Sequence, residues 1–229
     1  MTIQQASPTA RLVVALTALL WIGAAHAARY EIDPLETRTT YETRYLGFIP
    51  VRGVFERMTG VLSYEPDKPI GEREAAIHVI IDTTTLKPSN FDSESKRRML
   101  RGPEFFDVDR FPTIEFKSSR FRYEAGKLIA IDGDIKLLGV SRPVILKVSK
   151  SGCEVANPAR AARCTASAEL TLKRFDFGMK SWSGTVSDDV TIAVELVAVE
   201  VDAVPGTARA SEAKLRSEGA LTEKSGKAK

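Results

Sequence analysis

The sequence predicts an all-β domain, an antiparallel sandwich or barrel, and three observations carry that prediction. Apolar and polar residues alternate in short segments from Tyr30 to Val201. Turn-forming residues punctuate those segments. Only one stretch in the same region has the signature of a helix. Alternation places one face of each strand against a core and the other in water. Many short strands at regular spacing close into a sandwich or a barrel.

The first element in the chain reads as an export signal. Met1 to Arg11 carries one charge, Arg11, and the apolar run Leu12 to Ala25 follows. The run closes on Ala25-His26-Ala27, with small residues where a signal peptidase reads. It falls short of the ~20 apolar residues that span a bilayer. Residues 1–27 are therefore expected to be removed, leaving the mature domain at 28–202 in the periplasm or secreted. No cysteine and no twin arginine accompanies the run, which favours general export without lipid modification.

The clearest strand patterns are Val54 to Tyr64, Ala75 to Ile81, Thr113 to Phe116 and Leu128 to Leu138. Val144 to Val148, Thr165 to Leu172 and Val190 to Val197 complete the set. Turns are expected at Pro66-Asp67, Ala125-Gly126, Gly139 through Pro143, Ser151-Gly152 and Ser187-Asp188. The helix is Asp92 to Arg101, with an Asp/Ser cap, acids first, bases last and a Gly102-Pro103 stop. Its bases Lys96, Arg97, Arg98 and Arg101 read most simply as a solvated face; a phosphate contact is the sharper alternative. Residues 203–229 turn to Ala, Ser, Glu and Lys, a composition that cannot order itself on a core.

Composition narrows the function. Of 229 residues 43% are hydrophobic and 28% charged, enough for a genuine core. The formal charge of +3 argues against a nucleic-acid surface. Cys153 and Cys164 both fall in the exported part, where a pair forms a disulfide; it would clip a hairpin loop and contribute up to ~3 kcal/mol. Beyond the leader the chain has one histidine, His78. That leaves no Ser-His-Asp or Cys-His pair, no histidine-rich zinc site, and no nucleotide or cofactor motif. No catalytic residue, metal or cofactor is assigned, and the reading is a binding protein rather than an enzyme.

Magnitudes then select a ligand class. Association costs roughly 4–15 kcal/mol before any net affinity appears. Each buried methylene returns about 0.8 kcal/mol. A ligand gripped by apolar walls must bury on the order of ten carbons or more. A long hydrocarbon chain meets that demand.

The motifs resemble those of the YceI-like family, in order from Tyr30 to about Val199. They are Tyr30-Glu-Ile-Asp-Pro34, Leu46-Gly47, Val51-Arg-Gly-Val-Phe55 and Thr59-Gly-Val-Leu62. Leu100-Arg-Gly-Pro-Glu-Phe-Phe-Asp-Val108 with Phe111-Pro-Thr-Ile-Glu-Phe-Lys117 is the most specific. Gly133 to Val144, Phe175-Asp-Phe-Gly-Met179 and Asp188-Asp-Val-Thr-Ile192 complete the series. The resemblance implies an eight-stranded antiparallel lipocalin-like β-barrel with one short helix against it. It also implies a periplasmic or secreted protein that binds a polyisoprenoid lipid, of quinone or prenyl-phosphate type. The chain departs from the family at three histidine positions, which hold Glu36, Tyr45 and Leu138 here. The cysteine pair looks like a local addition.

The expected pocket residues are Phe116, Ile129, Ile131, Ile135, Val144, Leu146, Phe175, Phe177 and Trp182, with Arg52 toward an anionic head group. Phe105 and Phe106 are favoured as core. Trp182 is balanced between the barrel mouth and a loop anchor. The expected role is a carrier or sequestering protein for a long-chain isoprenoid lipid. An exported enzyme or stress-response protein acting on such lipids, and a packed barrel serving as an interaction module, are the alternatives. Transient contact with a membrane or membrane protein, and a homodimer, are left open.

Overall fold

The computed structural model describes residues 28–65, 69, 74–89 and 93–201. The expected leader at 1–27, the tail at 203–229 and the Pro66-Asp67 turn lie outside the described residues.

Among the described residues eleven strands form one sheet: β1 (Ala28–Ile32), β2 (Arg38–Tyr45), β3 (Ile49–Phe55), β4 (Met58–Tyr64), β5 (Ala75–Asp82), β6 (Leu86–Pro88), β7 (Thr113–Glu124), β8 (Lys127–Leu137), β9 (Val140–Glu154), β10 (Arg163–Lys173) and β11 (Asp189–Glu200). The ring β1-β4-β5-β7-β8-β9-β10-β11 closes because β11 pairs back on β1, with Ile32 opposite Ala198. This is an eight-stranded antiparallel barrel, the architecture that the family resemblance implies. β2, β3 and β6 extend it at one end, β2 pairing with β11 and β3, and β3 with β6.

Three ring strands continue into these extensions after a local break. Asp33 turns the chain between β1 and β2, its Oδ1 accepting from the amide of Leu35 at 2.8 Å. Glu56 and Arg57 interrupt the expected Val54–Tyr64 strand, which is two strands, β3 and β4. Their amides donate to Thr85 Oγ1 at 3.1 and 3.2 Å instead of to a neighbouring strand. A 3-10 turn at Thr83–Thr85, capped by Asp82, separates β5 from β6.

Two tight hairpins set the β7–β8 and β8–β9 registers. Ala125-Gly126 and Leu138-Gly139 take positive φ at both positions, 46° and 80°, then 50° and 77°. Such turns carry the twist that antiparallel strands need. The second turn frees residues that the sequence suggested were loop. Pro143 lies within β9, opposite Asp134, and so do Ser151 and Gly152. The strand patterns at Thr113–Phe116 and Val144–Val148 are likewise only parts of longer strands.

Helix α1 (Glu94–Arg101) begins at Ser93, whose hydroxyl accepts from the amide of Lys96 at 3.1 Å. Asp92, the other expected cap, is outside the described residues. Leu100, Phe105, Phe106 and Val108 are buried where the helix meets the extended end of the barrel. Phe106 meets Phe55 edge-on at 5.6 Å and Tyr41 at 6.3 Å. This aromatic plug closes one end.

Candidate ligand cavity

A cavity of about 820 Å³ occupies the barrel interior. Each ring strand contributes to its wall: Tyr30, Leu62, Ile77, Phe116, Ile131, Leu146, Leu170 and Ile192 come from β1, β4, β5, β7, β8, β9, β10 and β11 in turn. Met58, Ile81, Ile114 and Ile135 floor it above the aromatic plug. Its mouth carries Tyr64, Tyr123, Lys127, Lys150, Glu154 and Glu200. The cavity is thus apolar along its length and polar at one end. Its volume lies in the range of enclosed small-molecule sites.

Gly133 shapes the wall. A Cβ there would lie 2.3 Å from the carbonyl oxygen of Lys117 and 2.6 Å from the Phe116 ring. A glycine lets that ring lie flat on the strand beside it.

The expected pocket residues divide. Phe116, Ile131, Ile135 and Leu146 line the cavity. Ile129 does not: it is 41% exposed on the outer surface. A register shift between Arg122 and Tyr123 adds a residue to β8, so Leu128 and Ile131 face inward and Ile129 does not. A second shift, between Ser118 and Arg120, brings Phe121 and Tyr123 inward on β7. A bulge inverts the face of every residue beyond it.

Val144 is half-buried against the core but lines an outer groove, not the cavity. Arg52 lies on the outer face of β3, where its Nε donates to Glu42 at 2.5 Å. The cations at the mouth are Lys127 and Lys150 instead.

Phe175, Phe177 and Trp182 belong to the β10–β11 connection, beyond the cavity. Phe177 is core, and Phe175 is half-buried beneath the Arg174 guanidinium at 4.7 Å. Trp182 is 48% exposed and meets Phe105 edge-on at 6.4 Å, at the plugged end. It is an anchor for its loop, not a wall of the mouth.

Arg174 was not anticipated. It is 2% exposed and donates to four main-chain carbonyls. Nε reaches Ser187 at 2.9 Å, one terminal nitrogen reaches Met179 at 2.7 Å and Ser181 at 2.8 Å, and the other reaches Val186 at 3.0 Å. Burial lowers its pKa, and the nearby Asp188 charge partly offsets this. Nothing in the local sequence marks this arginine as buried.

Cys153 and Cys164 are bonded and stand opposite each other in the β9–β10 register. Both line the mouth, so the bridge pins the rim. Beside it, Glu36 pairs with Arg163 and raises the pKa of that guanidinium. Glu36, Tyr45 and Leu138, the three departures from the family histidines, all lie outside the cavity wall.

The outer face carries the remaining titratable clusters. His78 Nε2 is 2.7 Å from Glu115, whose pKa is held down by Lys117 and His78. Asp132 bonds Arg122 at 2.6 Å and Arg120 at 3.0 Å, and its pKa is lowered chiefly by Arg122. Among the described residues no three His, Cys, Asp or Glu side chains gather as a metal site.

The family model of the YceI-like domain matches residues 30–198. The chain belongs to the YceI-like family. A UPF0312 protein of Pseudomonas putida is 29% identical over 182 residues, covering 78% of this chain and 91% of that relative. Among solved structures of the same fold, BcnA of Burkholderia cenocepacia aligns with a TM-score of 0.57 at 19% identity, over 72% of this chain and 98% of BcnA. A polyisoprenoid binding domain from Saccharophagus degradans, implicated in plant cell wall breakdown, aligns with a TM-score of 0.53 at 13% identity. That alignment covers 77% of this chain and all of the domain. The YceI-like barrel is thus shared at identities where side chains have largely changed.

Proposed function

We propose that this protein holds a long-chain isoprenoid lipid in its barrel and carries or sequesters it outside the cytoplasm. The observation that carries the reading is the 820 Å³ apolar cavity, closed at one end and walled by all eight ring strands. The chain of the lipid lies along Phe116, Ile131 and Ile135, and the head group sits at the mouth near Lys127 and Lys150. The fold shared with a polyisoprenoid binding domain supports the same ligand class. An apolar molecule moving between membranes needs shielding from water, since each exposed methylene costs about 0.8 kcal/mol. The export signal and the disulfide fit work in an oxidising compartment. Delivery then requires transient contact with a membrane or a membrane protein.

Native mass spectrometry after purification without detergent tests this. The protein is expected to retain a long-chain lipid that organic solvent removes. An apo mass throughout, with no uptake of added prenyl lipid, would sink the proposal.

A further inference from the structure

Among the described residues, the β9–β10 ladder leaves a long seam in the barrel wall. The β9–β10 ladder stops at Lys147 opposite Glu169. Beyond that pair, Val140 to Leu146 are held by β8 alone, and Leu170 to Lys173 by β11 alone. Pro143, inside the unpaired stretch, brings no N–H to bridge the gap. The break between β1 and β2 on the other side of β11 is different. There Val197 exchanges hydrogen bonds with Thr37 at 3.1 and 3.2 Å and accepts from the amide of Asp33 at 2.9 Å.

A groove of about 690 Å³ lies over the seam on the outer surface. Its lining includes Val144, Ile145 and Leu170, with Ile145 50% exposed. Leu170 also lines the cavity, so at this point the groove and the interior share a wall. The groove's charges are mixed, Arg122 and Lys147 with Asp132, Asp134 and Glu169. Such a rim has no strong preference for an anion. At the mouth end of the same two strands, the Cys153–Cys164 bridge fixes them together.

We infer that the seam is a second, lateral opening, through which the hydrocarbon chain of the bound lipid leaves and enters past Leu170. This rests on the lipid-binding reading above. Opening the seam breaks no β9–β10 backbone hydrogen bond, whereas parting the same strands at the mouth would break the ladder and strain the disulfide.

The test is an Ile145→Cys/Thr171→Cys pair. These positions face each other if the register of Lys147 and Glu169 is continued, so a disulfide between them staples the seam. The probe is a geranylgeranyl chain with a dansyl head, loaded before oxidation, and its release into phosphatidylcholine vesicles is timed. Closing the staple is expected to slow release roughly tenfold or more. Reduction should restore it, with the wild-type chain run in parallel to account for Cys153–Cys164. Val144→Trp fills the groove floor without new cysteines and should also slow release. Release at the wild-type rate from both variants would overturn the lateral opening alone. Failure of the unstapled protein to take up the probe would overturn the lipid-binding reading and the opening with it.

Discussion

Ile131→Arg is expected to abolish retention of long prenyl chains while leaving the barrel folded. Ile131 faces the cavity from the middle of β8, opposite Phe121 on β7. In the empty protein the guanidinium reaches into a space large enough for water, so its charge stays hydrated. A bound hydrocarbon chain expels that water and leaves the charge unpaired in an apolar enclosure. Stripping a charge of water costs several kcal/mol even after relaxation. A penalty of about 3 kcal/mol lowers affinity more than a hundredfold. Fluorescence titration with a prenyl probe measures the loss, and thermal unfolding without ligand checks the fold. Ile131→Gln, uncharged and similar in size, should show a smaller loss. Wild-type affinity in a folded Ile131→Arg protein would place the ligand elsewhere.

Arg174→Met is expected to cost about 3–5 kcal/mol of stability, among the large losses that follow when a buried hydrogen-bond network is broken. The methionine keeps much of the volume but takes the Arg174 donor from the carbonyls of Met179, Ser181 and Val186, and leaves that of Ser187 only Thr43 Oγ1 at 3.4 Å. Each buried acceptor left unsatisfied costs about 1–3 kcal/mol, less where water enters. The total approaches the whole stability of many domains. Urea unfolding followed by circular dichroism reads it directly. Arg174→Lys keeps the charge but not the planar fork, so an intermediate loss is expected. A midpoint unchanged by Arg174→Met would mean the connection holds itself together without the arginine.

These two residues mark what could be read from the sequence and what could not. Ile131, Ile135, Phe116 and Leu146 stand in strands with clear alternation, and alternation assigns them to the inside. The same rule fails at Ile129, because the extra residue in β8 leaves no trace in apolar periodicity. It fails at Phe175, Phe177 and Trp182 because they leave the strand for a 3-10 turn and loop after Lys173. Arg52 lies away from the cavity for a different reason: proximity to a motif says nothing about which face of β3 a residue occupies. The Leu62, Ile77 and Val79 side of the wall was within reach, since β4 and β5 alternate as regularly as β8. Arg174 was not, because its burial depends on carbonyls that only the folded connection brings together. The seam was equally hidden. It follows from where the β9–β10 ladder ends, and the sequence of neither strand records that.

If an apolar chain fills the barrel, affinity must depend on the length of that chain. Prenyl alcohols that differ only in the number of isoprene units are titrated by calorimetry under one set of conditions. Each added unit that enters the cavity is expected to tighten binding by about tenfold or more, since every buried methylene is worth about 0.8 kcal/mol. The gain should stop once the chain outgrows the space that the cavity provides. Affinity independent of chain length from the shortest alcohol onward would mean that no such chain lies in the cavity.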